Sequence, residues 1–117
     1  MVNKKELLYK NEKFELVFNL NVMEKVQDQY GSIEKWWALI AEEDEPKAKD
    51  IKFGFTHTIN EGIDIYNEEH VNDEGFEPKP FFTEKQVGRI ISEIGLIEAA
   101  KQLNETVIES TKSEEKN

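Results

Sequence analysis

The sequence contains no cysteine, which excludes disulfide bonds, thiolate chemistry and zinc sites built on cysteine. No window approaches the roughly 20 consecutive apolar residues that a membrane-spanning helix needs. The first ten residues, MVNKKELLYK, include lysines but no apolar run after them, so we expect no signal peptide. These absences predict a protein that remains in a reducing cytoplasm, in the cell that makes it.

Basic residues are outnumbered by acidic ones. The chain has 15 lysine and arginine residues against 25 aspartate and glutamate residues, a formal net charge of −10. Because phosphate backbones attract cations, this balance argues against direct nucleic-acid binding. An acidic surface keeps a protein in solution and suits basic partners, and in rare cases it imitates DNA.

The length of 117 residues is close to that of one domain, and it suffices to bury a core without crosslinks. No internal repeat is present. We predict a single domain over residues 1–112 and a disordered charged tail over residues 113–117, which has nothing apolar to bury.

Hydrophobic periodicity changes early in the chain from two residues to about four. Residues 5–20 alternate and place Phe14, Leu16 and Phe18 on one face, which predicts a β-hairpin. From residue 21 onward the apolar positions are four apart as far as Tyr30, which indicates a helix.

Two residues then indicate the end of this helix and the start of another. Gly31 is suited to end the first helix, and Ser32 is suited to cap the next one, SIEKWWALIAEE. We expect Asp44, Glu45 and Pro46 to stop that second helix.

The segment DIKFGFTHTINEGIDIY, residues 50–66, fits two periodicities. In steps of two it reads as a strand until Asn60, whereas in steps of four an apolar face continues for more than four turns: Ile51, Phe55, Ile59, Ile63. Gly54 and Gly62 would each weaken a helix by roughly 1 kcal/mol, but glycine also allows a neighbouring element to approach closely. We predict a long buried helix over about residues 47–68.

The rest of the chain predicts an exposed, mobile loop over residues 70–82 and two further helices. Thr83 and Gln86 fit a capping box at the start of the first of these helices. Gly95 should break or bend it, and an amphipathic helix follows with Leu96, Ala99, Ala100, Leu103 and Val107 on one face. The predicted fold class is α+β and mainly α, an N-terminal β-hairpin packed on about four to five helices.

No arrangement of residues indicates catalysis. His57 lies in the apolar segment without a second histidine at metal-ligand spacing, and His70 is thirteen residues away in the predicted loop. The sequence contains no phosphate-binding glycine loop and no nucleophile elbow. We therefore predict no catalytic, cofactor-binding or metal-binding residues, and a protein that is not an enzyme.

Two aromatic pairs are candidates for a partner surface. Trp36 and Trp37 are adjacent and point about 100° apart on a helix, so both are buried only if that helix is covered on two sides. Phe81 and Phe82 end the predicted loop. Tryptophan is enriched among interface anchors, although the burial habits of tryptophan favour a position for both indoles in the core or at its rim.

The order of these features resembles the tail assembly chaperones of long-tailed phages and prophages of Gram-positive bacteria. The resemblance covers about residues 5–110. It begins with a strand pair, which is followed by Tyr30-Gly31-Ser32-Ile33-Glu34 at the start of a helix and by a long helix that begins at Asp50-Ile51. After a loop come Thr83-x-x-x-Val87, Ile90-Ile91 and Gly95. Gly54, Gly62 and the adjacent tryptophans depart from the family pattern.

The resemblance implies a protein of the host bacterium's cytoplasm that coats the tape measure protein while the tail tube assembles around it, and that leaves before the tail is finished. It also implies a possible frameshifted longer form that recruits tail tube protein. On physical grounds we expect self-association, and we predict that Trp36, Trp37, Phe81 and Phe82 bind the client or another copy. The alternative is a small acidic phage protein that acts as an inhibitor or DNA mimic, although lysines interspersed among the acids disfavour it.

Overall fold

The computed structural model describes residues 4–41 and 46–115 of the chain. Its described part consists of a two-stranded antiparallel hairpin followed by five helices, which confirms the predicted α+β, mainly α fold class. The elements, in chain order, are β1 Lys4–Tyr9, β2 Glu12–Val17, α1 Leu20–Tyr30, α2 Ile33–Ile40, α3 Ala48–His70, α4 Glu84–Ile94 and α5 Leu96–Glu115.

The hairpin has a two-residue turn at Lys10 and Asn11, with Tyr9 opposite Glu12 in the register. Both turn residues have positive φ, 50° for Lys10 and 65° for Asn11, as a type I′ turn requires. One face of the hairpin contributes Leu7, Phe14 and Leu16 to the core, as the alternation predicted for β2.

The end of β2 is enclosed as well. Val17 and Phe18 are both buried, and the Ser110 hydroxyl of α5 donates a hydrogen bond to the Phe18 carbonyl oxygen at 2.9 Å. The last helix therefore anchors the segment that joins the hairpin to α1.

The short helices begin and end at the residues that the sequence favours. Asn19 caps α1 by accepting from the Val22 N–H, and Gly31 ends that helix with a φ of 90°. The Ser32 hydroxyl oxygen accepts from the Lys35 N–H at 3.1 Å at the start of α2. Helix α2 ends at Ile40, and the predicted stop at Asp44 and Glu45 lies outside the described residues.

The 23-residue helix α3 is the centre of the core, so the helical interpretation of residues 50–66 is confirmed. Ile51, Phe55, Ile59 and Ile63 are each at most 2% exposed. The two glycines of α3 face close neighbours. A Cβ at Gly54 would overlap the Trp36 ring, and a Cβ at Gly62 would overlap the backbone of Glu15 in β2.

Helices α4 and α5 are separated by Gly95, whose φ is 95°. Thr83 and Gln86 form the predicted capping box at the start of α4, with each side chain accepting from the other residue's backbone N–H. The apolar face of α5 places Ala99, Ala100, Leu103 and Val107 in the core. The backbone of α5 is helical as far as Glu115, three residues into the segment predicted as a tail, and residues 116 and 117 lie outside the described part.

Candidate binding surface

The segment between α3 and α4 is attached to α3 by two asparagine side chains. Asn60 Nδ2 donates to the Phe82 carbonyl and its Oδ1 accepts from the Phe82 N–H, both at 2.8 Å. Asn67 makes the same pair of hydrogen bonds with the backbone of Lys79, at 3.0 and 2.9 Å. The end of the loop therefore lies along α3 in a defined position.

With the segment attached in this way, Phe81 and Phe82 differ in how far they are exposed. Phe81 is 56% exposed and lines an open depression of about 500 Å³ with Asn21, Val22, Lys25, His57, Asn60, Glu61 and Asp64. Phe82 is half-buried, and its ring meets the Phe14 ring edge to face at a centroid distance of 5.2 Å. Of the two, Phe81 thus presents the larger accessible ring to a partner.

The two tryptophans also differ in position. Trp36 is completely buried: its ring is stacked on Phe18 at 5.8 Å and its indole N–H donates to the Asp50 carbonyl oxygen at 3.3 Å. Trp37 is half-buried and packs against the edge of the core. Trp36 is therefore a core residue and is not accessible to a partner in the folded chain, whereas Trp37 is only partly buried.

A second concavity lies between the hairpin and the start of α4, and we call it the hairpin–α4 groove. It has a volume of about 370 Å³ and is lined by Tyr9, Lys10, Glu12, Phe14, Lys79, Pro80, Phe82, Gln86, Arg89 and Ile90. Of the residues that line it, only Phe82 was predicted from the sequence to bind a partner. The others come from separate parts of the chain, and no local pattern connects them.

His57 is half-buried beside the depression that contains Phe81. Burial lowers the pKa of this histidine, the positive charge of Lys25 lowers it further, and Glu84 partly opposes the change. The ring lies against Phe53 at a centroid distance of 4.5 Å. Among the described residues no group of three histidine, aspartate or glutamate side chains could hold a metal ion.

Tyr30 and Asp50 form a polar contact at the edge of the core. The Tyr30 hydroxyl donates to Asp50 Oδ1 at 2.7 Å, and Asp50 is only 4% exposed. Burial raises the pKa of the Tyr30 phenol above its ordinary value, and the carboxylate of Asp50 raises it further. The contact joins α1 to the first turn of α3 and requires no external ligand.

Other exposed apolar side chains are distributed over several elements: Leu8, Leu20, Tyr66, Val71, Ile97 and Ile108. None of the helices in the described ranges is both long and apolar enough to span a bilayer. Comparison of the chain with protein-family models, curated proteins and solved structures gave no match.

Proposed function

We propose that this chain is a tail assembly chaperone of a long-tailed phage or prophage, which binds the tape measure protein and keeps it soluble during assembly of the tail tube. The proposal rests on the resemblance in the order of the sequence features. It is supported by one structural observation, the exposed Phe81 ring on a segment whose backbone is bound by Asn60.

An exposed aromatic ring on a fixed backbone suits this role. Because the segment is already ordered, it loses little additional conformational freedom when a client covers the ring. A long apolar helix is the kind of client that would otherwise aggregate, and an aromatic side chain contacts such a helix over a large area. Phe81 would therefore contact the apolar stripe of the tape measure protein.

A single exposed ring gives weak binding for each copy. Weak binding of each copy allows release before the tail is completed. Many copies bound along one client would together still give a high total affinity. Self-association of the chain and recruitment of tail tube protein by a longer frameshifted form belong to the same proposal.

The test is co-expression with the tape measure protein encoded in the same genome, followed by measurement of the client's soluble fraction and of co-purification. Phe81→Ser should weaken binding of the client by at least about tenfold per copy, since burial of a phenylalanine contributes roughly 1.5–3 kcal/mol, and the soluble fraction of the client should fall. Ile97→Ser is the matched control because Ile97 is a similarly exposed apolar residue, at 67%, on a different element. We expect it to behave as the wild type.

Two results would contradict the proposal. One is a client that stays insoluble with the wild-type chain and also with the longer frameshifted product. The other is an equal loss of soluble client in both variants, which would assign the effect to general surface hydrophobicity. In the first case the acidic inhibitor or DNA mimic becomes the better hypothesis.

A further inference from the structure

The hairpin–α4 groove concentrates positive charge in a strongly acidic chain. Lys10, Lys79 and Arg89 line it, together with one acid, Glu12, and Arg89 is the only arginine in the sequence. Within the described ranges, none of these three cations forms a salt bridge with a carboxylate. The apolar part of the lining consists of Tyr9, Phe14, Pro80, Phe82 and Ile90.

Lys79 is held at this site by several contacts. Its ammonium lies 4.2 Å from the centre of the Tyr66 ring and 5.1 Å from that of Phe14, and it donates to the Lys13 carbonyl at 3.1 Å. Asn67 binds the backbone of the same residue. The ammonium is therefore fixed at the boundary of the groove, because Tyr66 and Lys13 line the neighbouring depression and not the hairpin–α4 groove itself.

Lys10 occupies a position that its residue type disfavours. Asparagine and glycine tolerate positive φ in a type I′ turn, whereas a lysine there is strained. Its φ is nevertheless 50°, and its ammonium lies 5.4 Å from the centre of the Tyr9 ring, which lines the groove. Strained residues of this kind cluster at functional sites. The turn thus carries a cation where another residue would be more stable.

We infer that the hairpin–α4 groove binds an extended acidic peptide segment of a partner protein, in which carboxylates flank one aromatic or large aliphatic side chain. The apolar side chain would lie against Tyr9, Pro80 and Phe82, the apolar lining residues that keep accessible surface, since Phe14 and Ile90 are buried. The flanking carboxylates would meet Lys10 and Arg89, and arginine offers a carboxylate two parallel hydrogen bonds.

The net charge of the chain favours a short segment over a larger polyanion. A nucleic acid would extend beyond the groove, whose three cations and one acid give a formal charge of +2, and would meet the rest of the chain, which carries −12 and so brings the net charge to −10. A few carboxylates inside the groove feel mainly the nearby cations, since exposed charges are screened beyond about 8 Å at physiological ionic strength. The inference concerns a different surface from Phe81 and does not depend on the chaperone role.

The experiment measures fluorescence anisotropy of three labelled peptides of equal length with the full chain. The first alternates aspartate and glutamate around a central phenylalanine, the second replaces the phenylalanine by serine, and the third replaces the acids by lysine. We expect saturable binding of the first peptide and at least roughly fivefold weaker binding of the second. The third should not displace the first, because a basic peptide is attracted to the acidic surface outside the groove.

Variants of the chain locate the site. Arg89→Gln and Lys10→Asn should each weaken binding of the first peptide roughly fivefold, as expected for loss of one charge pair at an interface rim. Lys85→Gln is the matched control: Lys85 is exposed on the same helix, lies outside the groove lining, and its loss changes the net charge equally. It should stay within twofold of the wild type.

Lys10→Asn also separates binding from folding. Because asparagine accepts positive φ more readily than lysine, this variant should melt at a temperature equal to or above that of the wild type while it binds less tightly. Absence of saturable binding to the first peptide would overturn the inference, as would an equal effect of Lys85→Gln and Arg89→Gln. Concentration-dependent self-association that disappears in Arg89→Gln would overturn it in favour of a second copy of the chain as the occupant.

Discussion

The side-chain amide of Asn60 binds both polar groups of the Phe82 backbone, as donor to the carbonyl and acceptor from the N–H, each at 2.8 Å. This is the pattern of hydrogen bonds that a neighbouring strand would supply, provided here by one side chain on a helix. It satisfies the backbone of Phe82 while Phe81, the preceding residue, stays exposed.

Replacement of Asn60 should release the end of the loop. Asn60→Ala removes both hydrogen bonds, and we expect a loss of about 1–3 kcal/mol in the free energy of unfolding because two backbone groups lose their partners. Hydrogen exchange of the Phe82 amide should accelerate. Asn60→Asp keeps the acceptor but not the donor, so the Phe82 amide should retain more protection than in the alanine variant.

The control for this experiment is Asn72→Ala. Asn72 is exposed in the same loop, and in the part of the chain that the structure describes its side chain makes no hydrogen bond. Unchanged exchange at Phe82 in Asn60→Ala would show that the two hydrogen bonds do not hold the loop.

Alanine at Gly54 or Gly62 in α3 should lower the free energy of unfolding, whereas alanine at Gly88 in α4 should not. Gly62→Ala places a methyl group against the backbone of Glu15, which is paired with Glu6 in the hairpin. Gly54→Ala places one against the buried Trp36 ring and 2.9 Å from Leu103 Cδ2. We expect each to lower the free energy of unfolding by about 1–3 kcal/mol or more. Urea denaturation measures the change.

Gly88→Ala is the matched comparison. A Cβ there would meet only the Lys52 side chain, at an ordinary distance of 3.5 Å, and alanine favours a helix interior by up to about 1 kcal/mol over glycine. The variant should therefore be at least as stable as the wild type. A similar loss in all three variants would indicate that close approach is not the reason for Gly54 and Gly62.

Tyr30 should make stability depend on alkaline pH. Its phenol has a raised pKa in the folded chain, so it stays protonated where the unfolded chain, with an ordinary pKa of 10.0, ionises. This contribution is complete below pH 10 and is lost as the pH rises above it. We expect Tyr30→Phe to lower stability by about 1.5–3 kcal/mol at pH 7, because the buried Asp50 carboxylate loses the hydrogen bond from the phenol.

The measurement is the free energy of unfolding in urea between pH 8 and pH 11. The wild type should lose stability more steeply than Tyr30→Phe over the alkaline part of this range. Parallel curves for the two proteins would mean that Tyr30 titrates alike in the folded and unfolded chains.

His57 should affect stability on the acid side. Because its pKa is lowered in the folded chain, the unfolded chain binds a proton first as the pH falls through its ordinary value of 6.5. The contribution of neutral His57 is thus present above pH 6.5 and is lost below it. His57→Gln should reduce the change in unfolding free energy between pH 7.5 and pH 5.5, measured by urea denaturation, and an unchanged difference would contradict this assignment.

Local signals in the sequence were sufficient to predict the elements and several of their ends, but not the end of α5, which continues to Glu115 in the segment predicted as a tail. Gly31, Ser32 and the Thr83–Gln86 pair act within one helical turn, so their effect depends little on the rest of the fold. The four-residue periodicity of residues 50–66 outlasted the alternation, and α3 is indeed a helix there. Its two glycines allow elements that are distant in the sequence to pack closely against α3. A glycine within a helix indicates such close approach but does not identify the element that approaches.

Contacts between distant residues were not predictable in the same way. Nothing near Asn60 or Asn67 in the sequence indicates that they bind a segment 12 to 22 residues later. The hairpin–α4 groove likewise depends on how the hairpin docks beside α4. The burial of Trp36 but not of Trp37 depends on where α3 and its Gly54 lie, so adjacency alone could not distinguish them.

The hydrogen bonds of Asn60 and Asn67 restrict where residues can be inserted into the chain or deleted from it. Asn60 and Asn67 are separated by seven helical residues, about 10.5 Å of rise, and Lys79 and Phe82 by three residues, about 10 Å if extended. The two spacings match, so an insertion or deletion between either pair would put one amide out of register. Residues 71–78 carry no such constraint from the asparagines, and length variation among natural variants should therefore concentrate there.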